Sequence, residues 1–336
     1  MWNTPFVRAV AACIGVLALT VTVTVTAAPV RAQEAVAEAA IEVTAVPGIP
    51  HAQVWRMAGG EARPVVVILH GADGGDAAGR QLGPVLAHLG YAAVGLPYYS
   101  PDWGAYGPPP QFPDLPGSFL DIRVDQLADL RQALGTMPGV DVERFALFGG
   151  SKGSEFALIA ASRYAWIDAV VAYTPSDVVW EGWGLEVIEA EGTRSSFSFD
   201  GEALPFMPYR GFVDGLLAGD AADLRAIHEN GRADHPEREA AARIPVEAYA
   251  GPVLLIAGEQ DAQWNSARQA RNIVAAREAA GVETEALIYT EAGHDLIGDG
   301  GPRDAHKSGG TPEANAAARA EAWPQVVAFL ARHLQP

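Results

Sequence analysis

The sequence predicts an α/β fold, a mostly parallel central sheet with helices on both faces, and three observations carry that expectation. Short apolar, β-branched runs alternate with amphipathic stretches along most of the chain. One of those runs enters a Gly-x-Ser-x-Gly sequence and a helical pattern leaves it. The 336 residues, less a leader over 1–32, are enough for one large α/β domain with a well-buried core.

In chain order, Ile41–Val46 and Ala52–Met57 alternate in hydropathy around Pro47-Gly48-Ile49-Pro50, which predicts an N-terminal hairpin. Strands are then expected over Val65–Leu69, Tyr91–Leu96, Phe145–Phe148, Ile167–Ala172, Val253–Ala257 and Glu285–Tyr289, with helices near 77–89, 119–135, 152–164, 264–280 and 314–334. Two segments break this rhythm. Tyr98 to Gly117, rich in Pro, Gly and aromatics, reads as a long loop at the carboxyl edge of a strand. Residues 177–247 are too long for a simple crossover and carry Trp180, Trp183, Phe197, Phe199, Phe206, Met207 and Tyr209. They read as a cap over the site edge, with an extra packing layer as the alternative. One domain over 33–336 with this insertion is therefore expected.

Residues 1–32 read as a secretory signal: Arg8 is the one charge before Arg31, residues 9–30 are apolar or Thr, and Val30-Arg31-Ala32 offers small residues at a cleavage site. An export to the periplasm or exterior follows; an uncleaved inner-membrane anchor over 9–30 is the alternative, and membrane contact is expected only then. Cys13, the single cysteine, lies in this leader, which excludes a thiol nucleophile or thiolate metal site in the remainder. With 23 basic against 41 acidic residues the net charge is −18, and the leader contributes two arginines and no acid to it. So acidic a chain argues against nucleic acid and anionic lipid as partners.

The chemistry is read at the strand ends. Phe145-Ala-Leu-Phe148 runs into Gly149-Gly150-Ser151-Lys152-Gly153, and Glu155-Phe-Ala-Leu-Ile-Ala-Ala161 leaves at helical spacing. Flanking glycines let a chain turn tightly enough to present a strained serine at its tip, so Ser151 is the candidate nucleophile. A serine needs a base and the base an orienting acid. Of eight histidines, His88, His333, His228, His235, His51 and His306 fall in surface or packing contexts, and His70 precedes the serine. His294 follows a glycine in the loop after a late strand and is the candidate base. Gly251-Pro-Val-Leu-Leu-Ile-Ala-Gly258-Glu-Gln-Asp261 is a strand ending in a turn that presents Asp261, the candidate acid, with Asp177 and Glu259 as competitors and Asp295 too close in sequence to the base. Ser151, Asp261, His294 is the chain order of an α/β-hydrolase triad. Oxyanion donors are expected in the Lys152 N–H and, from Leu69-His70-Gly71-Ala72-Asp73-Gly74-Gly75, the Ala72 N–H. That glycine-rich stretch lacks the Gly-Lys-Ser/Thr ending of a phosphate-binding P-loop. The Lys152 side chain has no assigned role at this level. No metal-ligand spacing is visible and no cofactor is expected.

Gly150-Ser-Lys-Gly-Ser-Glu-Phe-Ala-Leu158 resembles the elbow of the acyl-CoA thioester hydrolase / bile acid-CoA:amino acid N-acyltransferase C-terminal domain family. Further segments match in order: Ala169-Val-Val-Ala-Tyr-Thr-Pro-Ser176, Trp180-Glu-Gly182, Ser195-Ser-Phe-Ser-Phe-Asp-Gly201, Leu204-Pro205, Ile244-Pro-Val-Glu247, Gly251 through Ser266, Ala292-Gly-His294, Gly309-Gly-Thr-Pro-Glu-Ala-Asn315 and Ala322-Trp-Pro324. The resemblance spans about residues 60–334, implies an α/β-hydrolase fold, and places the family triad on Ser151, Asp261 and His294. Serine is the version associated with hydrolysis, cysteine with acyl transfer. The N-terminal β-sandwich domain of eukaryotic members is not expected here, and with Lys152 and Lys307 the only lysines no evident cluster for CoA phosphates is visible. The expected function is hydrolysis of an acyl thioester through an acyl-enzyme. An exported carboxylesterase resembling dienelactone hydrolase, an acyltransferase to an amine or alcohol, and a binding protein without turnover are the rivals. The expected partner is a small acyl ester or thioester.

Overall fold

The computed structural model describes residues 40–187, 194–218, 222–301, 303, 305 and 307–335. The signal or anchor expected over 1–32 lies outside them.

Among the described residues eight strands make one sheet. β1 (Ile41–Ala45) and β2 (Gln53–Met57) form the expected antiparallel hairpin, and β2 pairs antiparallel with β4 (Ala92–Leu96). From β4 the sheet is parallel through β3 (Arg63–Leu69), β6 (Val140–Gly150), β7 (Ala169–Tyr173), β10 (Val253–Gly258) and β11 (Glu285–Tyr289). β3, β4, β7 and β10 are buried on both faces, which explains continuous apolar runs in place of alternation.

Successive residues nonetheless serve different cores. Val65, Val67, Leu69, Phe145, Leu147, Val170, Ala172, Leu255 and Ala257 face α2 (Gln126–Leu134), α3 (Lys152–Ala161) and α7 (Ser266–Ala279). Val66, Ile68, Ala146, Phe148, Val171, Leu254 and Ile256 face α1 (Ala77–His88) and α8 (Pro312–Leu334). Because the parallel strands share one direction, their carboxyl ends, and the loops after them, gather at one edge.

One expectation changes, and two features are added to the pattern. The helix expected over 119–135 starts at Gln126, because Ile122 and Arg123 form a short strand, β5, that pairs with Phe197 and Ser198. A second sheet, β5-β8-β9, with β8 at Phe197–Phe199 and β9 at Glu202–Ala203, is absent from the pattern reading; its partners lie far apart in sequence, so no local period announces them. The 177–247 insertion also contains α4 (Phe212–Ala218), α5 (Leu224–Asp234) and α6 (Glu239–Ala242). Its Trp180, Trp183, Phe197, Met207 and Tyr209 are buried in the same core as α3, stacking on neighbours such as Phe119 against Trp183 at 4.5 Å. Tyr98 to Gly117 is the expected irregular loop, with one 3-10 turn at Gly104–Tyr106.

Candidate active site

β6 runs straight into α3, and the only residue between them is Ser151. Its backbone sits at φ 55°, ψ −123°, a region that costs a non-glycine residue on the order of 1–3 kcal/mol. The surroundings hold it there: the Ser151 N–H donates to the Tyr173 carbonyl at 3.0 Å, and its own carbonyl accepts from the Ser154 N–H and hydroxyl at 2.9 and 2.7 Å. The motif glycines are required by close approach. A Cβ on Gly149 would overlap the Gly153 carbonyl, and one on Gly153 would overlap the Leu69 carbonyl.

His294 lies in the loop after β11, and that loop is tied down twice. The His294 N–H donates to the Ser308 carbonyl at 2.7 Å, and the Gly293 N–H to Asn315 Oδ1, also at 2.7 Å. Asn315, buried at the start of α8, in turn donates to the Gly309 carbonyl. This gives the Gly309-to-Asn315 motif a physical task that sequence reading left unassigned.

Asp261 is fully buried in the turn after β10. Its carboxylate faces His294 Nδ1, with Oδ1 at 3.0 Å and Oδ2 at 2.8 Å. Oδ1 also accepts from the N–H groups of Gln263 and Trp264 at 2.9 and 3.2 Å. With Nδ1–H committed to this carboxylate, the lone pair of a neutral ring is on Nε2. The His294 side chain keeps 16% of its surface exposed, so a substrate can reach it.

Ser151 and His294 line one cleft of about 250 Å³, with Gly71, Thr174, Ile297 and Arg303 among its walls. Among the described residues the hydrogen bonds of the His294 ring go to Asp261 and none to the Ser151 hydroxyl. The loop after β3 passes against the serine: a Cβ on Gly71 would lie 3.4 Å from the Ser151 Cβ. Gly71 and Asp73 line the cleft, while Ala72 between them does not. Lys152 is the first residue of α3, where helix N–H groups have no carbonyl a turn behind to accept them. None of the cleft's described lining residues comes from 177–247.

The competing groups are occupied elsewhere. His70 lines the cleft, yet its Nδ1–H donates to the Gly71 carbonyl at 2.8 Å and its Nε2 accepts from the Tyr98 N–H at 3.2 Å. Burial lowers it to about 4, so it is a neutral wall residue with no free nitrogen. Asp177 pairs with Arg232 and accepts from Asn272 at 2.7 Å. Glu259 pairs with Arg271, and Asp295 with Arg303 and Arg319. His51 bonds Asp114 and His333 packs on Phe329, while His306 lies outside the described residues. His228 is a packing residue in α5, edge-on to Trp180, Tyr209 and Trp264 and also lowered to about 4 by burial. Among the described residues no cluster of His, Cys, Asp or Glu could hold a metal.

Two residues of the site stand in quoted motifs, but their roles come only from the structure. Trp264 donates its backbone N–H to Asp261 and its indole N–H to the Thr174 carbonyl, and its ring stands edge-on to His294 at 5.8 Å. Thr174, a β-branched residue before Pro175, is held at φ 44°, a conformation disfavoured on both counts.

Comparison with known proteins gives the family and the fold. The family model for the BAAT / acyl-CoA thioester hydrolase C terminal matches residues 129–298. Acyl-coenzyme A thioesterase 6 of Mus musculus is 25% identical over 289 residues, covering 81% of this chain and 60% of the relative. The mitochondrial acyl-coenzyme A thioesterase 2 of Homo sapiens is 26% identical over 261 residues, 74% of this chain and 48% of the relative. The chain thus spans about half to three-fifths of the length of these relatives. Among solved structures, a putative dienelactone hydrolase from Klebsiella pneumoniae superposes with a TM-score of 0.53 at 17% identity, over 87% of this chain and 98% of that one. An acylaminoacyl peptidase from Pyrococcus horikoshii does so with 0.53 at 15% identity, over 88% and 42%. These likenesses show the α/β-hydrolase fold. The chain belongs to the BAAT / acyl-CoA thioester hydrolase C-terminal family.

Proposed function

We propose that the protein is a serine hydrolase that cleaves acyl thioesters through Ser151, His294 and Asp261. The observation that carries this reading is the pairing of His294 Nδ1 with the buried Asp261 carboxylate in the cleft that Ser151 also lines. His294 Nε2 takes the hydroxyl proton as Ser151 attacks the acyl carbonyl. The buried Asp261 carboxylate holds the ring's tautomer and balances the imidazolium that forms. The Lys152 N–H and an N–H of the loop after β3, expected at Ala72, which itself does not line the cleft, are the proposed oxyanion donors. The imidazolium then returns its proton to the leaving thiolate. Water, deprotonated by the same nitrogen, next releases the acid from the acyl-enzyme.

The thioester is favoured by family membership and by the thioesterase names of the relatives. An oxygen ester is the second reading, favoured by the export signal expected over 1–32, since coenzyme A esters are cytoplasmic metabolites. Export itself belongs to this proposal. N-terminal sequencing of the protein from a bacterial host tests it: a start at Gln33 supports cleavage, and an intact start supports the anchor.

Matched acyl-CoA thioesters and p-nitrophenyl esters, offered to the purified chain beside Ser151→Ala, test the reaction. Thioester turnover that vanishes in the variant supports the leading reading. Ester turnover alone supports the second. An amine or alcohol acceptor that diverts the acyl group faster than water takes it identifies a transferase. No serine-dependent turnover of either substrate overturns the hydrolase.

A further inference from the structure

The Lys152 side chain takes no part in the steps above, yet it is one of the most buried charges in the molecule. Its ammonium donates to Glu155 Oε2 at 2.6 Å and to Ser196 Oγ at 2.8 Å, and the Lys152 and Glu155 side chains are 2% and 0% exposed. Phe197, Phe119 and Trp183 face it at 4.9, 5.3 and 5.6 Å from their ring centres. The other Glu155 oxygen accepts the Trp180 N–H at 3.0 Å. Ser196 Oγ also lies 2.7 Å from the Trp180 carbonyl and 2.8 Å from that of Glu181. The first turn of the elbow helix is thereby fastened to the 180–197 segment, none of whose described residues lines the cleft.

Stability is a poor reason for this arrangement. Two charges taken out of water recover their desolvation only when geometry is close to ideal, and well-packed apolar residues of similar volume often hold a core as well or better. A cation in the first turn of a helix also opposes the helix dipole. Burial lowers Lys152 and raises Glu155, and each draws the other back, so neither charge is tolerable alone. What the pair supplies is a single rotamer for residue 152, the residue whose N–H stands beside the nucleophile.

We propose that Lys152 and Glu155 are positioning residues, a buried latch that fastens the elbow to Ser196 and Trp180 and so holds the Lys152 N–H on the developing oxyanion. The catalytic part of this rests on the serine-hydrolase reading. On this view the insertion acts from behind the helix, as the anchor of an oxyanion donor.

The test uses two variants of the full chain that leave the cleft wall untouched. Ser196→Ala removes the hydroxyl at the far end of the latch. Lys152→Met with Glu155→Gln removes both charges and keeps the volume. Amide hydrogen exchange of a peptide spanning the elbow, kcat and KM on the accepted ester, and the rate of Ser151 capture by a fluorophosphonate are compared with the native chain. In Ser196→Ala, elbow exchange rises about tenfold, kcat and the capture rate fall about tenfold, and KM stays within about twofold, the pattern of a lost transition-state interaction. The double variant keeps a near-native melting point with kcat still low. Unchanged elbow exchange in Ser196→Ala overturns the latch. Faster exchange with native kcat and capture rate, or a double variant that regains kcat together with its melting point, overturns the positioning role. A native chain that neither turns over substrate nor is captured sinks the hydrolase reading separately, and the exchange comparison then still decides the latch.

Discussion

Replacing Asp261 with asparagine isolates the electrostatic part of the site, because it alters one atom of a fully buried group. Asp261 Oδ1 accepts two backbone N–H groups, from Gln263 and Trp264, and an amide oxygen can keep both. That leaves the amide nitrogen in the Oδ2 position, 2.8 Å from His294 Nδ1. Two N–H donors cannot face each other, so the ring adopts the other tautomer, with hydrogen on Nε2 and the lone pair turned away from Ser151. The base is lost, and so is the anion that balances the imidazolium. Together these are expected to lower kcat/KM by roughly 10³–10⁴, about 4–5.5 kcal/mol at 1.36 kcal/mol per tenfold. Global stability should fall by only about 1–2 kcal/mol, the loss of one charge-assisted hydrogen bond with the others kept. The assay is ester hydrolysis under pseudo-first-order conditions, beside urea denaturation of both proteins. A well-folded variant within tenfold of native kcat/KM would refute the assignment of Asp261.

Asn315→Ala leaves the Gly293 N–H and Gly309 carbonyl without their partner, so stability should drop by about 1–3 kcal/mol and activity with it; Asn315→Asp, which keeps the acceptor, should recover part of the stability in the same denaturation series. Thr174→Gly relieves the positive φ but frees the unfolded chain, two effects of about 1 kcal/mol each, so a loss above ~2 kcal/mol by denaturation would contradict a strained Thr174. His70 and His228, lowered by burial to about 4 from 6.5, bind protons more readily in the unfolded chain. Their contribution is therefore complete above about pH 6.5 and is lost as pH falls towards 4, up to roughly 3 kcal/mol for each. The unfolding free energy of the native chain should accordingly fall between pH 7 and pH 5 by more than that of His228→Phe, and equal falls would exclude His228 as a contributor.

The triad candidates were legible because each stands at the end of an apolar strand and announces itself within a few residues: Gly149 to Gly153 around Ser151, Gly258 to Asp261, and Gly293 before His294. The helix expected over 119–135 starts only at Gln126 for the converse reason. Phe119, Leu120 and Ile122 are apolar at helical spacing, but Ile122 is claimed by Phe197, 75 residues further on, and a tertiary pairing overrides a local period. Trp264, Asn315 and the Lys152 ammonium were legible as residues and not as roles, since each acts through a partner that no spacing rule reaches.

The chain by itself determined the alternation of strands and helices, the elbow, and the order of the candidate serine, acid and base, because hydrophobic period and turn chemistry are local properties of the backbone. Only the tertiary structure decided which carboxylate meets His294, that His70 is sealed by Tyr98 and Gly71, and that the Lys152 charge turns away from the cleft into an aromatic cage. Those are matters of distance and burial between groups remote in sequence, and they exist only once the sheet has brought its strand ends to a common edge.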